Sequence, residues 1–255
     1  MKVAIITGAS SGIGESVAVE LHGRGWAVGL IARRAERLEA IAERLGGERV
    51  AFATADVGDE AAVNAAVASI EGSLGPCELM FANAGIGDVR SGRDFSASET
   101  KKILNVNVEG VIHAVAAVIP GMVDRGHGIV AATSSVAGFR GLPNFGPYSA
   151  SKAYVTNLME SLRLDLRKSN IKVTTVHPGF VVSELTDRNA FDMPFLVQTD
   201  RAARIIANGL EAGKAEINFP WQMICVMKLA KWMPNWIYDS LLPAFMPTKP
   251  KKELP

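Results

Sequence analysis

The feature that most constrains this chain is its N-terminal segment, where a short apolar run meets a glycine-rich turn that opens directly into a helical pattern. Residues 3–6 are apolar and largely β-branched, the composition of a strand buried on both faces of a parallel sheet. Gly8-Ala9-Ser10-Ser11-Gly12-Ile13-Gly14 follows at once, and Val17, Ala18 and Leu21 then recur at helical spacing. Glycines at a strand-to-helix junction permit a tight turn, close backbone approach to a ligand and close helix packing, while the helix N-terminus attracts a pyrophosphate. The spacing Gly-x-x-x-Gly-x-Gly departs from the commoner Gly-x-Gly-x-x-Gly. Position therefore favours a nucleotide, with a plain turn as the alternative.

The same alternation continues along the chain. Strands are predicted at residues 27–32, 50–53, 78–82, 128–133, 171–176 and 215–219, with helices at 35–45, 60–70, 98–123, from Pro147 onward, and at 199–212. This pattern predicts an α/β fold: one doubly wound Rossmann-type domain with a seven-stranded, mainly parallel sheet and helices on both faces. At 255 residues one large domain is sufficient, and no linker argues for two. Residues 1–219 are expected to form the dinucleotide-binding domain, and 220–255 an apolar and basic extension.

Lysine and arginine number 27 against 26 acidic residues. So small a net charge gives no reason to expect nucleic-acid binding, and small molecules are the expected partners. Cys77 and Cys225 lie far apart in no Cys-x-x-Cys or Cys/His pattern, so neither a disulfide framework nor a metal site is expected. The first six residues are too short an apolar run for an export signal, and a cytoplasmic location is the expectation.

Candidate ligand and catalytic residues fall at the carboxyl ends of predicted strands. The second strand ends in Ala32-Arg33-Arg34, where such folds commonly place an acidic residue on the adenosine ribose. The missing acid and the adjacent guanidinium groups favour a 2′-phosphate, hence NADP, and Arg33 is ranked ahead of Arg34 because it directly follows the acid's position. Solvated surface arginines are the alternative. Asp56, followed by Val57, is read either as an acceptor for the adenine amine or as a helix cap. Asn83-Ala84-Gly85 ends the fourth strand, its glycine admitting a flat ligand. Asn107 sits between Val106 and Val108 and either braces structure or holds a water.

Ser134 and Ser135 end the fifth strand, and Tyr148 and Lys152 stand four residues apart on a helix that Pro147 can open. A nearby ammonium lowers the pKa of a tyrosine, and the Ser135 hydroxyl can hold a substrate oxygen where the phenol proton reaches it. His177 is read as structural.

Together these motifs resemble the short-chain dehydrogenase/reductase family over residues 2–219. Thr7-Gly8-Ala9-Ser10-Ser11-Gly12-Ile13-Gly14 is similar to that family's cofactor motif, Asn83-Ala84-Gly85 to its sheet-stabilising motif, and Pro178-Gly179-Phe180-Val181-Val182-Ser183 to its nicotinamide-side loop. Asn107, Ser135, Tyr148 and Lys152 match its catalytic set, with thirteen residues from Ser135 to Tyr148. Two positions depart: Ser183 replaces a commoner threonine, and Ser11 stands where many NADP-preferring members carry a basic residue.

The resemblance implies an NADP(H)-dependent oxidoreductase acting on a carbonyl or secondary alcohol, with Tyr148 as acid or base. Ser135 would hold the substrate oxygen, Lys152 would lower the tyrosine pKa and bind the nicotinamide ribose, and Asn107 would hold a relay water. Cofactor contacts are expected from Gly8, Ser10, Ser11, Gly12, Ile13 and Gly14 in the turn, and from Arg33, Arg34, Asp56 and Val57 around the adenosine. Asn83, Ala84 and Gly85 complete that wall, with Tyr148, Lys152, Pro178, Gly179, Val181 and Ser183 on the nicotinamide side. Family members commonly form dimers or tetramers through the helices around Asn107 and Tyr148. A non-catalytic dinucleotide-binding regulator of the same fold is the alternative.

Residues 184–198, with Phe191, Met193, Pro194, Phe195 and Leu196, suit an apolar lid over a small, partly hydrophobic substrate. Beyond Pro220, Trp221, Trp232, Trp236, Met223, Met227 and Met233 alternate with Lys228 and Lys231, ahead of Lys249-Pro250-Lys251-Lys252. Lysines and prolines interrupt the segment, so it predicts no membrane span. Packing over the cleft or against another subunit, or contact with a membrane surface, remain open.

Overall fold

The computed structural model of the chain describes residues 1–186 and 192–245. Strand β1 (Val3–Thr7) alternates Val3 and Ile5 toward one sheet face with Ala4 and Ile6 toward the other, and all four are buried. The chain continues through α1 (Gly12–Gly23), β2 (Ala27–Ala32), α2 (Ala35–Arg44), β3 (Val50–Thr54), α3 (Glu60–Leu74) and β4 (Cys77–Ala82). After α4 (Ala97–Leu104), a π turn (Asn105–Glu109) and α5 (Gly110–Arg125) come β5 (Gly128–Thr133), α6 (Gly146–Asp165) and β6 (Ile171–Pro178). Then follow α7 (Thr199–Glu211), β7 (Glu216–Phe219), α8 (Trp221–Trp232) and α9 (Asn235–Phe245).

The seven strands pair in parallel in the order β3-β2-β1-β4-β5-β6-β7. Strand order reverses between β1 and β4, and a crevice at such a reversal, outside the carboxyl ends, is where open α/β sheets bind ligands. One core lies between the sheet and α1, α2 and α7, where Val17, Leu21, Leu38, Ile206 and Leu210 are buried. A second lies on the opposite face against α3, α5 and α6, with Val63, Ile70, Val111, Met122 and Met159.

One departure from the sequence expectations, and one outcome that the sequence left open, bear on the site. The helix expected over 98–123 is instead broken in register by the π turn at Asn105–Glu109. Apolar periodicity misses it because a single wide turn leaves the apolar stripe continuous on either side. The 220–245 segment forms two helices seated on the residues that follow Ser135. Arg140 donates to the carbonyls of Ala230 and Met233 at the end of α8 and to Asn235 Oδ1, while its guanidinium lies 3.8 Å from the Tyr238 ring centroid. Tyr238 donates to the Gly141 carbonyl at 2.6 Å. Trp221, Leu229, Trp232 and Trp236 point outward and are exposed. Lys249, Lys251 and Lys252 lie outside the described residues.

Candidate active site

The glycine-rich turn is built against the neighbouring strand end. Gly8 has φ +66°, and a Cβ there would stand 2.7 Å from the Ala84 Cα. At Gly14 a Cβ would meet the Gly8 carbonyl and stand 2.6 Å from Asn83 Nδ2, so both positions demand glycine. Thr7 Oγ1 accepts from the amides of Asn83 at 3.0 Å and Ala84 at 3.1 Å, and Thr133 Oγ1 donates to Asn83 Oδ1 at 3.0 Å. Asn83 and Ala84 thus bind the ends of β1, β4 and β5 together. Sequence reading assigns Thr7 no role beyond opening the cofactor motif and passes over Thr133; their shared signal was a hydroxyl at the last residue of a strand.

A cavity of about 400 Å³ runs along this edge. Every expected cofactor residue lines it: Gly8, Ser10, Ser11, Gly12, Ile13, Arg33, Arg34, Asp56, Val57, Asn83, Ala84, Gly85, Tyr148, Lys152, Pro178, Gly179, Val181 and Ser183, save Gly14, which packs beneath the turn. Gly12 approaches the opposite wall, where its Cβ would stand 3.2 Å from the Ser183 Cβ. A bare glycine floor with convergent polar groups suits the pyrophosphate and ribose of a dinucleotide.

The two arginines differ in how they are held. Arg33 is 67% exposed and, among the described residues, pairs with Asp56 at 3.7 Å. Arg34 is seated in the turn: Nη2 donates to Ser10 Oγ at 3.0 Å and Ser11 Oγ at 2.8 Å, and Nη1 donates to both Glu184 carboxylate oxygens at 3.0 Å. Two serine hydroxyls supply Arg34 with acceptors, a difference that their order along the strand end does not reveal. Asp56 is not the helix cap. Its Oδ1 accepts from the Gly58 amide at 3.0 Å in a local turn, whereas Asp59 caps α3 by accepting from Ala62 at 3.1 Å. Val57 contributes to the wall, with its side chain packed on Gly110.

Pro147 stands in the first turn of α6, where its fixed φ and absent N–H suit helix initiation. Tyr148 and Lys152 therefore share one helix face beneath the end of β5. Lys152 is 3% exposed and its Nζ donates to the Thr133 carbonyl at 2.8 Å. Burial lowers its pKa to about 8. Ser135 is 7% exposed; its Oγ accepts from the Ala137 amide at 3.2 Å and hydrogen-bonds with the Tyr148 hydroxyl.

The Tyr148 pKa runs against the expectation. Burial of the hydroxyl raises it, opposed by the Ser135 hydrogen bond, and the Lys152 ammonium, 5.8 Å from the ring centroid, is directed at Thr133 instead. Desolvation of a phenolate outweighs the single hydrogen bond.

Asn107 is fully buried within the π turn. Its Oδ1 accepts from the Ile86 amide at 2.8 Å, and its Nδ2 donates to the Ile86 carbonyl at 2.9 Å and to Ser151 Oγ at 3.0 Å. Of the two roles expected for this side chain, bracing is the one its partners fill. The brace holds the segment after Gly85 against α6, and a Cβ at Gly85 would lie 3.4 Å from both Asn107 Oδ1 and Lys152 Nζ. His177 is buried and its pKa falls to about 4 through desolvation. Its Nε2 pairs with Thr156 Oγ1 at 3.2 Å, and Thr156 donates to the Lys152 carbonyl at 3.0 Å, which makes it a support behind the helix.

The lid expected at 184–198 is described except for residues 187–191, so Phe191 lies outside the described residues. Val197 is tied to the nicotinamide-side loop through the Phe180 carbonyl at 2.9 Å and the Val182 amide at 3.0 Å. Phe195 and Leu196 are exposed, and Leu185 stands with Tyr148 around Gly87.

A doubly wound parallel sheet, a glycine turn at its reversal point and a serine, tyrosine and lysine on the carboxyl edge define a dinucleotide-binding class of oxidoreductase. The chain belongs to the short-chain dehydrogenase/reductase family: the family model for short chain dehydrogenase matches residues 2–193. It is 39% identical over 241 residues to an uncharacterized oxidoreductase of Myxococcus xanthus, covering 94% of this chain and 95% of the relative. A short chain dehydrogenase/reductase from Burkholderia phymatum in complex with NAD matches with a TM-score of 0.84 at 25% identity, covering 100% of this chain and 98% of that one. A gluconate 5-dehydrogenase from Burkholderia cenocepacia in complex with NADP and tartrate matches with a TM-score of 0.76 at 28% identity, covering 82% and 87%.

Proposed function

We propose that this oxidoreductase uses NADP(H) to interconvert a carbonyl and a secondary alcohol on a small, partly hydrophobic molecule. The observation that carries the reading is the meeting of Ser135, Tyr148 and Lys152 in a cleft floored by the glycine turn. Nicotinamide bound there would supply or accept the hydride. Because burial raises the Tyr148 pKa, its hydroxyl is protonated at neutral pH and is ready to donate to a carbonyl oxygen. Ser135 holds that oxygen and stabilises charge developing on it. Lys152 remains largely cationic near neutral pH, with its pKa at about 8, and supports the phenolate left behind.

The choice of NADP rests on Ala32 where an acid would select NAD, and on Arg33 and Arg34 beside it. That one related structure holds NADP and another NAD supports a nicotinamide dinucleotide as the cofactor class. Leu185 beside Tyr148 supports a substrate with an apolar part. Exposed Leu104, Val123, Tyr154 and Leu164 on α4, α5 and α6 support self-association through these helices. The testing experiment is an NADPH-oxidation screen over carbonyl compounds of graded size and polarity, repeated with NADH and with Arg33→Ala and Arg34→Ala. Equal use of both cofactors by the wild type would remove the NADP assignment, and no turnover of any carbonyl would remove the reaction class.

A further inference from the structure

We propose that Glu184 tunes cofactor selectivity from the opposite wall of the cleft, by occupying the Arg34 guanidinium that a 2′-phosphate would otherwise claim. The inference rests on the reading of this cleft as an NADP site. Arg34 spends every direction of its fork: Nε and Nη2 on Ser10, Nη2 also on Ser11, and Nη1 on both oxygens of Glu184. Two serine hydroxyls and a guanidinium grouped on the phosphate-binding turn form a pocket for a tetrahedral anion. Glu184 brings a carboxylate of this chain's own to that pocket. Arg34 and Glu184 both line the cavity, on walls formed by segments 150 residues apart in sequence.

The contact is built to exchange. Both side chains are nearly half exposed, 41% for Arg34 and 48% for Glu184, and ion pairs in such surroundings stabilise a fold only slightly. Glu184 itself sits on a fixed turn, because the Thr186 hydroxyl accepts from the Ser183 amide and donates to the Val181 carbonyl, both at 2.9 Å. A phosphate arriving at Arg34 therefore meets a carboxylate that its backbone keeps close, and like charges side by side oppose binding. A ligand without that phosphate has no such conflict. Glu184 thereby weakens NADP relative to NAD without touching the reacting atoms, which makes it a specificity residue.

The test uses equilibrium binding to the full chain, with adenosine 2′,5′-bisphosphate and adenosine 5′-monophosphate as probes, followed by calorimetry. Glu184→Gln should bind the bisphosphate about five- to tenfold more tightly and leave the monophosphate unchanged, at an unchanged melting temperature. In an Arg34→Ala background, where no guanidinium holds phosphate and carboxylate side by side, the same substitution should have a clearly smaller effect, which places the coupling between the two side chains. If the wild type favours the bisphosphate and Glu184→Gln does not alter that preference, Glu184 has no part in selectivity and the NADP reading stands. If wild type and variant both bind the two probes equally, the NADP reading fails and the role of Glu184 fails with it.

Discussion

Lys152→Met isolates the cost of holding an ammonium in the core of the site. The pKa falls from 10.5 to about 8 on burial, a change that corresponds to about 3 kcal/mol of destabilisation while both folded and unfolded states are charged. The folded pKa lies below the unfolded one, so the full penalty applies below about pH 8. Between about pH 8 and pH 10.5 the folded state has released its proton and the unfolded state has not, and the penalty shrinks as pH rises. Methionine has nearly the same length and carries no charge. The lost hydrogen bond to the Thr133 carbonyl is open to charged and neutral amine alike, and the raised Tyr148 is common to both proteins. Neither alters the pH dependence of the difference in first order. Urea unfolding of the two ligand-free proteins at about pH 7 and about pH 10 should therefore show the wild type gaining about 2–3 kcal/mol on the variant. Stability curves that stay parallel across that interval would refute the reasoning.

Two other outcomes follow from buried groups. Asn107→Ala should destabilise the protein by about 2–4 kcal/mol, because the Ile86 amide and carbonyl and the Ser151 hydroxyl each lose a buried partner, and denaturant midpoints measure this. Cys77 is fully buried with its pKa raised to about 12, whereas Cys225 is exposed, so a thiol reagent should modify one cysteine in the native chain and two after unfolding.

The strands and the glycine turn were legible because two-sided burial writes continuous apolar runs, and because Gly8 and Gly14 stand where a Cβ has no room. Ser135, Tyr148 and Lys152 were legible because helix geometry converts a spacing of four into one face. What escaped was set by contacts distant in sequence. Arg34 is seated in the cleft because Ser10, Ser11 and Glu184 surround it, and local order says nothing of them. The π turn around Asn107 leaves no periodic trace, since it is fixed by Ile86 and Ser151 from two other segments. A lysine nearby suggested a lowered tyrosine pKa, but the folded site directs that ammonium to Thr133 and buries the phenol. For the tail the sequence left packing over the cleft, against another subunit or on a membrane open, because the contacts of Arg140 and Tyr238 that join it to the loop after Ser135 are distant in sequence.

The central claim is that Tyr148 transfers the proton in a nicotinamide-dependent carbonyl reduction. Its most direct test is single-turnover NADPH oxidation by Tyr148→Phe, with a carbonyl compound that the wild type reduces, alongside NADPH binding to the same variant. The expected result is unchanged cofactor affinity with the rate lowered about 10²–10⁴-fold, the share that a positioned acid contributes. Turnover at the wild-type rate with intact binding would contradict it.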